Sequence, residues 1–111
     1  MADNSLLEKV LGLQEKYDAL QAQLADPEVI SDMKRFVQLN KEYKELTPII
    51  EAGNEFKKVL ENYEMAKEIL ATEKDEDLRE MAKEEIAEIE PKLLDMEQNI
   101  KLLLIPADPQ D

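Results

Sequence analysis

Apolar residues recur along this chain at alternating steps of three and four, and that stride divides it into three helical stretches. In the first, Leu6, Val10, Leu13, Tyr17, Leu20 and Leu24 form a heptad seam, which Leu7 and Leu11 widen into a face. Ser5 and Glu8 have the capping-box spacing at its start, each side chain serving the other's free backbone N–H. Asp26-Pro27 ends it, because the residue before a proline is driven out of the helical region. The first helix is therefore expected at about 5–25.

The second stretch begins near Ser31 or Asp32, either of which can cap it. Phe36, Leu39, Tyr43, Leu46, Ile50 and Gly53 keep the stride, and Phe56, Leu60, Tyr63 and Leu70 continue after a step of three where four is due. Pro48 lacks the N–H its turn needs, so one helix bent near residues 46–50 is expected rather than two separated by a loop. The helix spans about 32–71. The third, at about 76–104, opens on Asp75 as its cap with Glu76 and Asp77 at the positive end of the dipole. Leu78, Ala82, Ile86, Ile89, Leu93, Met96, Ile100 and Leu103 make its seam; Pro91 should bend it and Pro106 stop it. Period-two alternation is absent, so no strand is expected.

Short connections between long helices make neighbours antiparallel. The expectation is all-α: an elongated antiparallel three-helix arrangement with a long, kinked middle helix. At 1.5 Å per residue the first helix is ~30 Å long and the second ~60 Å, so helices two and three should project as a two-helix stalk. The helical domain would occupy 1–105, with 106–111 starting a linker. Such a shape suits a spacer or arm better than a substrate cleft.

Composition narrows the chemistry. The 111 residues include no Cys and no His, which removes disulfides, thiolate or imidazole metal sites, and Ser-His or Cys-His nucleophiles. Two glycines, Gly12 and Gly53, cannot form a phosphate-cradling loop. Asp75-x-Asp77 starts like a calcium loop, but Arg79 takes a ligand position and the required glycine is missing. No catalytic, cofactor-binding or metal-binding residue is assigned, and no cofactor is expected. The apolar run Leu102–Ile105 is far short of the ~20 residues that span a bilayer. The N-terminus does not read as a signal peptide, and a cytoplasmic protein is expected.

Charge then points to partners. The net charge is -13, and residues 73–111 hold 13 acidic against 5 basic side chains. Nucleic-acid affinity comes largely from Lys and Arg displacing counterions, so direct binding of RNA or DNA is not expected. Nine acidic residues between Glu73 and Glu90 read as a solvated helix face. Lys34, Arg35, Lys41 and Lys44 form a small basic group, read as solubilising partners of Glu42 and Glu45. Met33, Met65, Met81 and Met96 lie at or beside seam positions, as core filler would.

Three segments carry a family resemblance. Leu24-Ala25-Asp26-Pro27-Glu28-Val29-Ile30-Ser31-Asp32 resembles the turn after the first helix of bacterial class I peptide-chain release factors. Leu39-Asn40-Lys41-Glu42-Tyr43-Lys44-Glu45-Leu46-Thr47-Pro48-Ile49-Ile50 is similar to that family's second helix. Lys101-Leu102-Leu103-Leu104-Ile105-Pro106-Ala107-Asp108-Pro109-Gln110-Asp111 is similar to its proline-marked junction. The first turn looks like that of UAA/UAG-reading factors, since it has no Trp. The resemblance implies the accessory N-terminal domain of a translation termination factor, near the large-subunit stalk base of the ribosome and touching protein there. The family's Pro-x-Thr codon-reading and Gly-Gly-Gln peptide-release motifs are missing from these 111 residues, so the chain is not expected to be an enzyme. The alternatives are a structural coiled-coil adaptor or a prefoldin-like helical chaperone subunit, for which the two proline turns have no use, and an all-helical enzyme.

Overall fold

The computed structural model describes residues 4–105. Four α-helices follow one another: α1 (Asn4–Leu24), α2 (Pro27–Ile30), α3 (Met33–Thr72) and α4 (Glu76–Leu103). No strand forms among the described residues, and the protein is all-α. The chain divides into two compact units, one reaching to Gly53 and the other starting at Asn54, so the division falls inside α3.

The short α2 is an addition to the three expected helices. Asp26 is extended, with φ -75° and ψ 123°, and its carboxylate accepts the Glu28 N–H at 3.0 Å. Pro27 occupies the first turn, where its missing N–H costs nothing. A single turn is too short to show a helical period, which is why hydrophobic spacing passes over it. Ser31 closes α2 instead of opening α3: its N–H bonds the Pro27 carbonyl at 3.0 Å and its hydroxyl the Glu28 carbonyl at 3.0 Å. The cap of α3 falls to Asp32, whose side chain accepts the Arg35 N–H at 3.2 Å. At the other end, α1 already includes Asn4, so Ser5 stands inside the helix rather than at its cap.

In the unit ending at Gly53, α1 runs antiparallel to the first half of α3. Val10 faces Gly53, and further along α1 the Tyr17 ring stacks on Tyr43, centroids 4.4 Å apart and planes within 8°. The Tyr17 and Thr47 hydroxyls are hydrogen-bonded at 3.1 Å, and Thr47 also donates to the Tyr43 carbonyl at 2.9 Å. Those bonds lie immediately before Pro48, through which α3 passes as one continuous helix. Leu6, Val10, Leu20, Val29 and Ile50 form the buried apolar set. Leu11 does not widen that face. It is 53% exposed, because one residue past Val10 the helix has turned by about 100°.

In the unit from Asn54, the rest of α3 runs antiparallel to α4, pairing Tyr63 with Glu90 and the end of α3 with Arg79. Phe56, Val59, Tyr63 and Ala66 are buried on α3, and Ala82, Ile89, Leu93 and Ile100 on α4. Phe56 and Ile100 are fully enclosed, each such burial worth about 1.5–3 kcal/mol. Val59 and Ala66 take core positions while Leu60 and Leu70 are half-buried, since a straight helix drifts about 20° per heptad from a 3.5-residue repeat. The methionines depart furthest from expectation. Met33, Met65 and Met81 are 70%, 61% and 64% exposed, Met96 alone is half-buried, and Leu78 is also exposed. They lie beside the seam, where the helix surface turns to solvent. Asp75 caps α4 as expected, and α4 continues through Pro91 to a cap at Leu104. The stop at Pro106 and the linker 106–111 lie outside the described residues.

Candidate interaction surface

The connection between α3 and α4 is built from side chains that satisfy the helix ends. The last carbonyls of a helix have no intrahelical donor. Arg79, in the first turn of α4, supplies one: its guanidinium donates to the carbonyls of Leu70 and of Glu73, the latter at 3.3 Å. Glu73 folds back to accept the N–H groups of Lys74 at 3.1 Å and Asp75 at 3.2 Å. Asp75 in turn accepts the Asp77 N–H at 2.9 Å. Two of the turn's carboxylates are thus committed to the backbone, while Glu76 and Asp77 remain exposed at the N-terminus of α4.

Two concavities flank the α3–α4 pair. A cavity of about 220 Å³ is lined by Tyr63, Glu90, Leu93, Leu94 and Glu97. Inside it the Tyr63 hydroxyl donates to Glu90 Oε2 at 3.0 Å. That bond, with burial second, raises the Tyr63 phenol above its ordinary value, because ionisation would set two anions against each other. The Lys67 ammonium stands 5.2 Å from the Tyr63 ring centroid, within cation–π range. A wider groove of about 400 Å³ runs between Val59 and Asn62 of α3 and Met81, Glu84, Glu85, Glu88, Ile89 and Lys92 of α4. Both concavities pair an apolar floor with carboxylates, an arrangement that receives cationic side chains with aliphatic stems.

The acidic run of the sequence is therefore divided. Glu73 and Asp75 hold the turn, Glu84, Glu85 and Glu88 line the groove, and Glu90 lines the cavity. Sequence reasoning missed Glu97, which belongs to the cavity and is only 8% exposed. Its one signal was position: Glu97 lies four residues after Leu93 and three before Ile100, beside the seam rather than opposite it. Lys34, Arg35, Lys41 and Lys44 are all exposed along the other half of α3. Among the described residues, no three acidic, Cys or His side chains converge where a metal ion could sit. No helix there is long and apolar enough to cross a membrane.

Comparison with known proteins gives this surface a family. The profile described as the PCRF domain matches residues 13–111. Peptide chain release factor 1 of Bacteroides fragilis is 51% identical over 112 residues, covering 100% of this chain and 30% of the relative. The corresponding factor of Parabacteroides distasonis is 50% identical over 111 residues, covering 100% and 30%, and that of Clostridioides difficile 43% over 106, covering 96% and 30%. The chain thus spans about a third of the length of the curated relatives it matches. No solved structure matches. On an all-helical architecture and a family match that runs from the first helix to the last residue, the chain belongs to the PCRF domain family found in peptide chain release factors.

Proposed function

We propose that this chain is the accessory N-terminal portion of a translation termination factor of the UAA/UAG-reading type, working in the cytoplasm. It positions the factor on the ribosome by touching protein at the large-subunit stalk base and takes no part in ester hydrolysis. The observation that carries this reading is identity of about 50% along the whole chain to release factor 1 proteins that are roughly three times as long. The surface fits a protein contact better than an RNA contact. The α3–α4 pair presents two carboxylate-lined concavities, and phosphates repel such a surface. Opposite charges on a basic ribosomal protein would speed encounter and fix register more than they add affinity.

Deleting residues 1–105 from a full-length factor tests the assignment. The shortened factor should associate more slowly with stop-codon ribosomes while keeping its choice of stop codons. Altered codon choice on deletion, or stop-dependent peptide release by the purified 111-residue chain, overturns it.

A further inference from the structure

Glu97 is the one charged side chain among the described buried residues, and it has no hydrogen-bond or ion-pair partner there. Its carboxylate lies in the wall of the cavity it shares with Tyr63, Glu90, Leu93 and Leu94. No buried side-chain oxygen among the described residues lacks a partner, so the Glu97 carboxylate keeps its contact with water at the cavity while its stem is packed away. Leucine, at the same place in the stride, would fill the space at a gain in burial.

The geometry points to a function for that carboxylate: the Tyr63–Glu90–Glu97 cavity is a socket for an arginine side chain of a partner protein. Glu97 supplies one charge on a stem held by packing, and Glu90 supplies a second, with one oxygen already held by Tyr63 at 3.0 Å and the other open. Glu90 and Glu97 lie seven residues apart on α4, about 10 Å along the axis, with Leu93 and Leu94 between them to take the aliphatic stem. Leu94 is 61% exposed, an apolar surface that an inserted stem would cover. Arginine suits this lining better than lysine. Its guanidinium spreads five donors over a plane, stacks on aromatic rings and sheds water more readily than an ammonium, whereas lysine presents one compact, strongly hydrated charge. The partner is a basic protein segment, because nucleic acid offers no cation to such a cavity. The inference does not depend on which protein carries the arginine, nor on the role assigned to the chain above.

The test is an NMR titration of the 15N-labelled 111-residue chain with acetyl-Gly-Arg-Gly-amide, with matched peptides carrying lysine or citrulline, and with spermidine. The arginine peptide should give saturable shifts centred on Tyr63 and residues 90–97. Binding should weaken at least tenfold with citrulline, which keeps the shape and loses the charge, and severalfold with lysine and spermidine. Glu97→Gln should reduce arginine binding at least fivefold with the Tm held or raised, since the carboxylate has no partner in the fold to lose; Glu90→Gln should reduce binding too. Four results overturn the proposal: shifts spread over all acidic faces, spermidine or lysine binding as tightly as arginine, an unchanged affinity in Glu97→Gln, or a lowered Tm in Glu97→Gln. The last would show the carboxylate to be a structural partner.

Discussion

Gly53 sits deep in α3 where α1 crosses it, and replacing it with alanine is a direct measure of how closely those helices are joined. A Cβ built on Gly53 falls 2.5 Å from Val10 Cγ1, well inside the closest approach of two carbons. Val10 cannot readily yield. It is 7% exposed, and a β-branched side chain in a helix has one strongly preferred χ1. Overpacking of this kind costs about 1–3 kcal/mol. Against it stands the helix propensity that alanine gains over glycine, about 1 kcal/mol. Gly53→Ala should therefore be destabilising by about 0–2 kcal/mol. The chain contains its own control. A Cβ on Gly12, in α1, meets nothing within 4 Å, so Gly12→Ala should show the propensity gain alone and stabilise by about 1 kcal/mol. The difference between the two variants isolates the clash, about 1–3 kcal/mol. Urea unfolding followed by circular dichroism at 222 nm resolves that difference. Adding Val10→Ala to Gly53→Ala should recover the clash, giving a coupling of about 1 kcal/mol or more in the double-mutant cycle. If Gly53→Ala stabilises as much as Gly12→Ala, the helices are not in contact there and the reasoning fails.

Two other perturbations follow from the α3–α4 pair. Tyr63 has a folded-state pKa raised above its unfolded value, chiefly by its hydrogen bond to Glu90; the stability this contributes is fully present below about pH 10 and is lost as pH rises through the folded value. Tyr63→Phe should therefore cost about 0.5–1.5 kcal/mol at pH 7 and flatten the fall in stability above pH 10, a result contradicted by parallel alkaline profiles for the two proteins. Arg79→Ala should release the carbonyls of Leu70 and Glu73 and lower stability by about 1 kcal/mol, with faster amide exchange around residues 70–77; unchanged exchange there would show that water replaces the clasp at no cost.

What the sequence made legible is what periodicity can encode. The three-and-four stride located the long helices, placed Tyr17 and Tyr43 on facing seams, and kept α3 unbroken across Pro48 because no polar loop interrupts it there. Asp75 was readable as a cap since acidic residues follow it and an amphipathic run begins. Three features escaped. The one-turn α2 has no period to detect, although Asp-Pro-Glu already carries its cap and its proline. The core of the second unit uses Val59 and Ala66, small residues that a search for large apolar side chains undervalues. Glu97 was hidden by its own chemistry. A charged residue one step off the seam reads as solvent-facing, and only the placement of Tyr63 and Leu93 around it makes it a wall of a cavity.

The tyrosines give the molecule an optical property that its chemistry alone would not suggest. There is no tryptophan, so ultraviolet emission comes from three phenols. Tyr17 and Tyr43 lie stacked face to face in the unit ending at Gly53, and Tyr63 is bonded to a carboxylate in the unit beginning at Asn54. Stacking and carboxylate bonding both perturb phenol emission, by different routes, and both vanish on unfolding. Each unit thus carries its own native chromophore, and no label is needed to watch either. With Tyr63 changed to Phe, the remaining signal belongs to the first unit alone. Comparison with the helical signal, which both units share, then shows whether the continuous α3 makes them melt in one step or lets one open before the other.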